Sequence, residues 1–234
     1  MLFRSTGGIL NVVLNAQDGD DTFNVAGSQA YAGITVSGGD PTTSDTLNFT
    51  GDGVNPVTLN LGTQTVGETG FAAVAFPGVE LLNINAGANA LTVTGTSGQD
   101  NITYRPTAVN DGVLTRAGQN LVTTFTNVVT AFTVDTIGGE DAVTVLGTST
   151  ADTFTVVKGA TSTVQVNAFK TVNLLSATVE NVTLLSGDGN DTINISGTTI
   201  NGQIFAVDAG NPDANSGSDT LTITMATADR KSVV

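Results

Sequence analysis

Hydrophobic and polar residues alternate with a period of two along most of the chain, in segments of four to seven residues cut by Gly, Asn, Asp, Ser and Pro. "TFNV" (22–25), "TLNF" (46–49), "ELLNIN" (80–85), "AVTV" (142–145), "TINI" (192–195) and "TLTIT" (220–224) show the pattern. Helical periodicity is nearly absent. Successive side chains on a strand point to opposite faces. The alternation therefore predicts short half-buried strands in which Leu47 and Phe49, Ile102 and Tyr104, Ile193 and Ile195, and Leu221 and Ile223 point inward. Thr46, Asn48, Thr192, Asn194, Thr220 and Thr222 then face out.

Strand starts recur about 10 to 12 residues apart, a rhythm shared by sandwiches, barrels and solenoids. Internal repetition selects among them. Placing Asp21 on Asp191 aligns "QDGDDTFNVAG" with "GDGNDTINISG", so a unit of about 170 residues begins to recur. A shorter echo, "VELLNINAG" (79–87), "TAFTVDTIG" (130–138) and "VENVTLLSG" (179–187), returns about every 50 residues. Repeats within repeats suit a solenoid, whose coils need only their neighbours and whose insertions leave as loops through one edge. The expected fold is all-β, a parallel β-solenoid (right-handed β-helix or β-roll-like) of short strands. It spans 1–234 as a single domain, with repeat echoes near 16–50, 79–128, 129–178 and 179–224. "MLFRSTGG" and "ADRKSVV" at the two ends match nothing else in the chain, which suggests a piece of a longer repeat protein.

Composition narrows the chemistry. With 39% hydrophobic and 12% charged residues, the chain is too apolar for a disordered acidic tail. Acidic residues outnumber basic ones 21 to 7, a net charge of −14, which disfavours tracking of nucleic-acid phosphates and favours cations as partners. There is no Cys, His or Trp, so thiolate and imidazole chemistry are excluded and any bound metal must take oxygen ligands. No apolar run approaches the roughly 20 residues of a membrane span, so membrane insertion is not expected.

The turns carry the candidate chemistry. Aligned on its aspartate, "SGDGNDTIN" (186–194) fits the nonapeptide G-G-x-G-x-D-x-U-x with Ser186 in place of the first glycine. Weaker copies are "AQDGDDTFN" (16–24), "GTSGQDNIT" (95–103), "TIGGEDAVT" (136–144), "GTSTADTFT" (147–155) and "ANSGSDTLT" (214–222). These turns resemble those of the haemolysin-type, or repeats-in-toxin, calcium-binding proteins. The resemblance implies a β-roll whose glycine-rich turns bind Ca²⁺ through backbone carbonyls and the aspartate. The implied ligands are Asp18, Gly19, Asp20 and Asp21, then Asp45, then Gly187, Asp188, Gly189, Asn190 and Asp191, and finally Asp219. The turn aspartates lie 11 to 55 residues apart, unlike the family's even tandem spacing.

Independently of the family, glycine permits a positive φ that aims carbonyls at an ion, and Ca²⁺ takes six to eight hard oxygens. A competing reading needs no metal, because an aspartate closing a turn commonly accepts backbone N–H groups. That reading is preferred for Asp100, Asp141 and Asp152, whereas the adjacent carboxylates at 18–21 and 188–191 repel one another unless a cation intervenes. Asp40 and Asp45, and Asp208, Asp213 and Asp219, fall in longer acidic loops.

The expected function is a non-catalytic structural or adhesive repeat segment of a secreted or cell-surface bacterial protein, with structural Ca²⁺ in some turns. Its partners would be calcium and other repeat units or cell-surface and matrix components. One alternative is an enzyme, since parallel β-helices include polysaccharide lyases that pair aspartate-bound Ca²⁺ with a basic residue. Here Arg105, Arg116, Lys158 and Lys170 are available. A metal-free structural solenoid is the other alternative. Outward threonine pairs such as Thr92/Thr94 raise ice binding, against which Asn24, Asn101 and Ala142 interrupt the rows.

Overall fold

The computed structural model describes residues 10–39, 44–197, 202–211 and 217–225. The two terminal stretches noted above, with Asp40 and Asp213, lie outside the described residues. The protein is all-β, with two large and mostly parallel sheets, sheet A of 12 strands and sheet B of 9.

The chain alternates between the sheets. β1 (Asn11–Asn15) lies in A, β2 (Thr22–Ala26) in B, β3 (Gly33–Ser37) in A and β4 (Thr46–Thr50) in B. β5 (Val57–Asn60), β6 (Thr65–Glu68) and β7 (Val74–Ala75) then stay together in A before β8 (Leu81–Asn85) in B and β9 (Leu91–Thr94) in A. β10 (Asn101–Ala108), β11 (Asp111–Arg116) and β12 (Val122–Thr126) are together in B, followed by β13 (Phe132–Asp135) in A and β14 (Ala142–Leu146) in B. β15 (Thr153–Lys158), β16 (Thr161–Val166) and β17 (Val172–Leu175) are together in A. β18 (Asn181–Leu185), β19 (Thr192–Gly197), β20 (Ile204–Asp208) and β21 (Thr220–Met225) resume the alternation.

Each triplet is a jump forward and a return. β5 does not pair with β3; it pairs in parallel with β9, and β6 and β7 double back antiparallel until β7 reaches β3. β10–β12 and β15–β17 repeat the manoeuvre. The extra residues expected to leave as loops are thus built into the wall as antiparallel strands, where their backbone groups find partners without protruding. The repeating unit is a three-strand meander plus two plain strands. The meander stays in one sheet, so each unit makes three sheet visits, an odd number; successive units therefore swap sheets, and the meanders fall in A, B and A. The echo recurring about every 50 residues marks β8, β13 and β18, the fourth strand of each unit.

The inward assignment holds through the body. Leu47, Phe49, Ile102, Tyr104, Val143, Val145 and Ile193 are essentially inaccessible and share one core. Leu221 and Ile223 differ: they are 51% and 59% exposed because β21 pairs with β19 and, among the described residues, no coil covers its other side. On the outer face Asn48 donates to Asn24 Oδ1 and Asn83 donates to Asn48 Oδ1, both at 2.9 Å, a side-chain ladder across β2, β4 and β8. At mid-height Phe132 of sheet A packs on Phe125 and Tyr104 of sheet B at centroid distances of 4.4 and 4.9 Å, at the close end of the favourable aromatic range. Gly112 makes room for these rings, since a Cβ there would lie 2.6 Å from Phe125 and 2.7 Å from Tyr104.

Candidate metal centre and the carboxylate ladder

Every implied aspartate ligand that directly precedes a strand lies at a corner where the chain passes from one sheet to the other. Corners interrupt the strand ladder, and a buried N–H left unpaired there costs about 1–3 kcal/mol. The carboxylates answer this need between coils. Asp21 N–H donates to Asp45 Oδ1 at 2.8 Å and Asp45 N–H to Glu80 Oε2 at 3.0 Å. Asp100 N–H donates to Asp141 Oδ1 at 2.6 Å and Asp141 N–H to Glu180 Oε2 at 2.8 Å. Asp152 N–H donates to Asp191 Oδ1 at 2.8 Å and Asp191 N–H to Asp219 Oδ1 at 2.9 Å. In return the following residue of the later coil donates backward, as Thr192 N–H does to the Asp152 carbonyl at 2.8 Å. Charge-assisted bonds of this kind are stronger than neutral ones.

The carboxylates that head two of these runs are held by the neighbouring meander. Arg116, closing β11, donates through Nε to Asp100 Oδ1 as an ion pair. Asn167, just after β16, donates through Nδ2 to Asp152 Oδ1 at 2.5 Å. The second oxygens of Asp100 and Asp152 accept Thr96 N–H at 2.7 Å and Thr148 N–H at 2.6 Å, and each also meets its threonine hydroxyl.

Two ladder aspartates are different. Asp141 Oδ2 and Asp191 Oδ2 are buried without a hydrogen-bond partner. Burial pushes the Asp141 carboxyl up, and the Asp100 and Glu180 carboxylates beside it add to the rise. In the Asp191 turn the buried Ser186 Oγ is likewise unpartnered, and Gly187 and Gly189 take φ of 95° and 127°. A Cβ on Gly187 would lie 2.3 Å from the Thr148 carbonyl, so glycine is demanded by the close approach of two coils. Glu68, at the end of β6, is a further buried carboxyl: Oε1 accepts Asp52 N–H at 2.6 Å, Oε2 is unpartnered, and burial pushes its pKa up.

The implied ligand sets are therefore separated. Asp18, Gly19 and Asp20 are exposed in the turn before β2, near one end of the solenoid, and Asp21 beside them is half-buried. Gly187 to Asp191 lie before β19, toward the other end, with Asp188 exposed and bridged to Asn211. The structure brings Asp21 to Asp45 and Asp191 to Asp219, in each case through a backbone N–H. Among the described residues no three acidic side chains gather in a metal-sized cluster. The donor set fits a hard cation best at 186–191, where a carboxylate oxygen and a hydroxyl are buried and unengaged. At Asp45 the structure shows no such buried, unengaged oxygen, and its Oδ1 accepts Asp21 N–H.

Compared with family models, with curated proteins and with solved structures, the chain matches none. The residues themselves carry the reading. The four basic side chains weighed for lyase chemistry divide. Arg116 is committed to Asp100, and Lys170 Nζ donates to the Thr130 and Val129 carbonyls at 2.8 and 3.3 Å. Lys158 Nζ donates to the Gln203 carbonyl at 2.6 Å, and Arg105 lines a shallow groove with Thr103 and Thr115. Thr58, Thr92 and Thr133 align across β5, β9 and β13, and Asn173 continues their row.

The ladder acceptors Glu80 and Glu180 escaped the sequence reading. Their signal was an acidic residue directly before a strand, in "VELL" and "VENV", the same place the turn aspartates hold.

Proposed function

We propose that this chain is a non-catalytic structural repeat segment, a spacer or stalk wall suited to a secreted or cell-surface bacterial protein. The observation that supports it is the carboxylate ladder. The molecule's buried acidic chemistry is spent on holding one coil to the next, and three of the four candidate basic residues hold backbone carbonyls or a ladder carboxylate. Mechanically, the function is register: within each run neighbouring coils are tied at the corner as well as along the strands, which helps the wall keep its length and twist.

A second reading, favoured by the unengaged Asp191 Oδ2 and Ser186 Oγ, adds Ca²⁺ at the 186–191 turn. There the ion would be held by Asp191, Ser186 and turn carbonyls. It would offset a buried negative charge and raise stability by binding only the folded turn.

Thermal unfolding followed by circular dichroism, in EDTA and then in millimolar Ca²⁺, separates the readings. A rise in melting temperature with Ca²⁺ that disappears in Asp191→Asn supports the calcium site. Melting that ignores both reagents leaves the metal-free wall. Cleavage of acidic polysaccharides by the wild type, lost in a folded Arg116→Ala variant, would replace the structural reading with an enzymatic one.

A further inference from the structure

We infer that the two open ends of the solenoid are complementary, and that a second copy of this chain stacks head to tail on the first, with β1 on β20 and β2 on β21. The inference rests on the reading of the chain as a structural solenoid. Among the described residues the outermost strands are β1 in sheet A and β2 in sheet B at one end, and β20 in B and β21 in A at the other. Continued stacking leaves the next place in sheet B on β20 and the next place in sheet A on β21. A second copy supplies those two places in order.

The chain also shows that β1 and β2 are made for this position. Residues 11–26 are the counterpart of 181–196: Asn11 matches Asn181, Val12 Val182, Leu14 Leu184, Asp21 Asp191 and Thr22 Thr192. β18 pairs with β20 as β1 pairs with β3, and β19 pairs with β21 as β2 pairs with β4. On its other side β18 pairs with β14, and β19 with β15. That is the side on which β1 and β2 have no partner strand among the described residues.

The corner chemistry matches across the joint. In each run the later coil offers a carboxylate to the earlier coil's N–H. Asp219 is the last acceptor of its run, so the partner for its own N–H belongs to a following coil. Asp21 is the first member of its run, so the N–H for its carboxylate belongs to a preceding coil. Stacking brings these two together, as Asp191 and Asp152 are already brought together. The same register sets the exposed Leu221 and Ile223 over Phe23 and Val25, and the half-buried Phe205 and Val207 over Val12 and Leu14. An open strand edge with apolar rungs is otherwise an aggregation hazard. A head-to-tail contact does not close on itself, so it builds linear oligomers. Like charge on the copies opposes the joint, and salt relieves this by screening.

The test is sedimentation velocity on the 234-residue chain across a concentration series at physiological salt, with Ile223→Glu blocking one end and Phe23→Glu, or Asp21→Ala, blocking the other. Circular dichroism confirms the fold of each variant. The expected result is wild-type oligomers that lengthen with concentration, two blocked variants that are each monomeric, and dimers when Ile223→Glu and Phe23→Glu are mixed. A folded wild type that stays monomeric, blocked variants that fail to dimerise on mixing, or a blocked variant that dimerises alone would each overturn the stacking while leaving the structural reading in place. A chain without β-signal would sink that reading as well.

Discussion

The corners at 147–152 and 186–191 sit one above the other at the start of β15 and β19, and each ends in a buried aspartate. In the first, every carboxylate oxygen is engaged: Asp152 Oδ2 by Thr148 N–H and hydroxyl, and Oδ1 by Asn167 Nδ2. In the second, Gly187 stands where Thr148 stands, the hydroxyl is gone, and Asp191 keeps an unpartnered Oδ2. One corner is a finished capping site. The other has the same backbone role, accepting Asp152 N–H, with capacity left for a cation. Position before a strand thus explains why the aspartate is there, and the residue four places earlier decides what else it can do.

The largest expected effect comes from trying to make the second corner like the first. Gly187→Thr restores the hydroxyl but drives a Cβ to 2.3 Å from the Thr148 carbonyl at a φ of 95°. The crowding and strain should cost about 3 kcal/mol, the range of overpacked or strained sites, read as a lower midpoint in urea unfolding. A gain in stability would show that glycine there serves something other than the close approach of coils. Next comes the pair Asp152→Asn and Asp191→Asn. Either orientation of the new amide sets a donor against a donor at 152, costing about 2 kcal/mol. At 191 the amide nitrogen replaces the unpartnered oxygen while Oδ1 goes on accepting Asp152 N–H. Without calcium, Asp191→Asn should be neutral or stabilising. Equal losses at the two positions would erase the distinction between the corners.

How much of this was legible in the sequence follows from distance along the chain. Alternation is local, so the rungs of Leu47, Tyr104 and Ile193 were readable. The meanders were not, because β6 and the two-residue β7 carry no clean alternation, and alternation does not record whether a strand's partners run parallel or antiparallel. The turn at 186–191 was visible from its glycines and aspartates. The partner of each carboxylate was hidden, since it lies a coil away: 35 residues separate Asp45 from Glu80 and 39 separate Asp152 from Asp191. Leu221 and Ile223 read as core because pattern records which face a residue takes and carries nothing about whether another coil covers it.

Thr148→Val is a milder edit of the finished corner. It keeps the β-branched shape and the backbone N–H bond to Asp152, and removes the hydroxyl contacts at 3.0 and 3.2 Å. A loss of about 1 kcal/mol is expected, and no loss would mean that the hydroxyl does not separate the two corners.

The smallest effect concerns the other unfinished corner, at Asp141. Its carboxyl is raised by burial and by its acidic neighbours, so the folded state holds this proton more tightly than the unfolded chain does. The stabilisation is complete below the unfolded value and is lost as pH rises through the folded one. Glu68, raised by burial, has the same sign. Melting temperature should therefore fall from weakly acidic toward neutral pH. Asp141→Asn, which cannot ionise and keeps an oxygen for Asp100 N–H, should flatten part of that slope, and Glu68→Gln another part. Melting that rises over this range in the wild type, or a slope unchanged in both variants, would place the protonation elsewhere and return Asp141 to the class of finished corners.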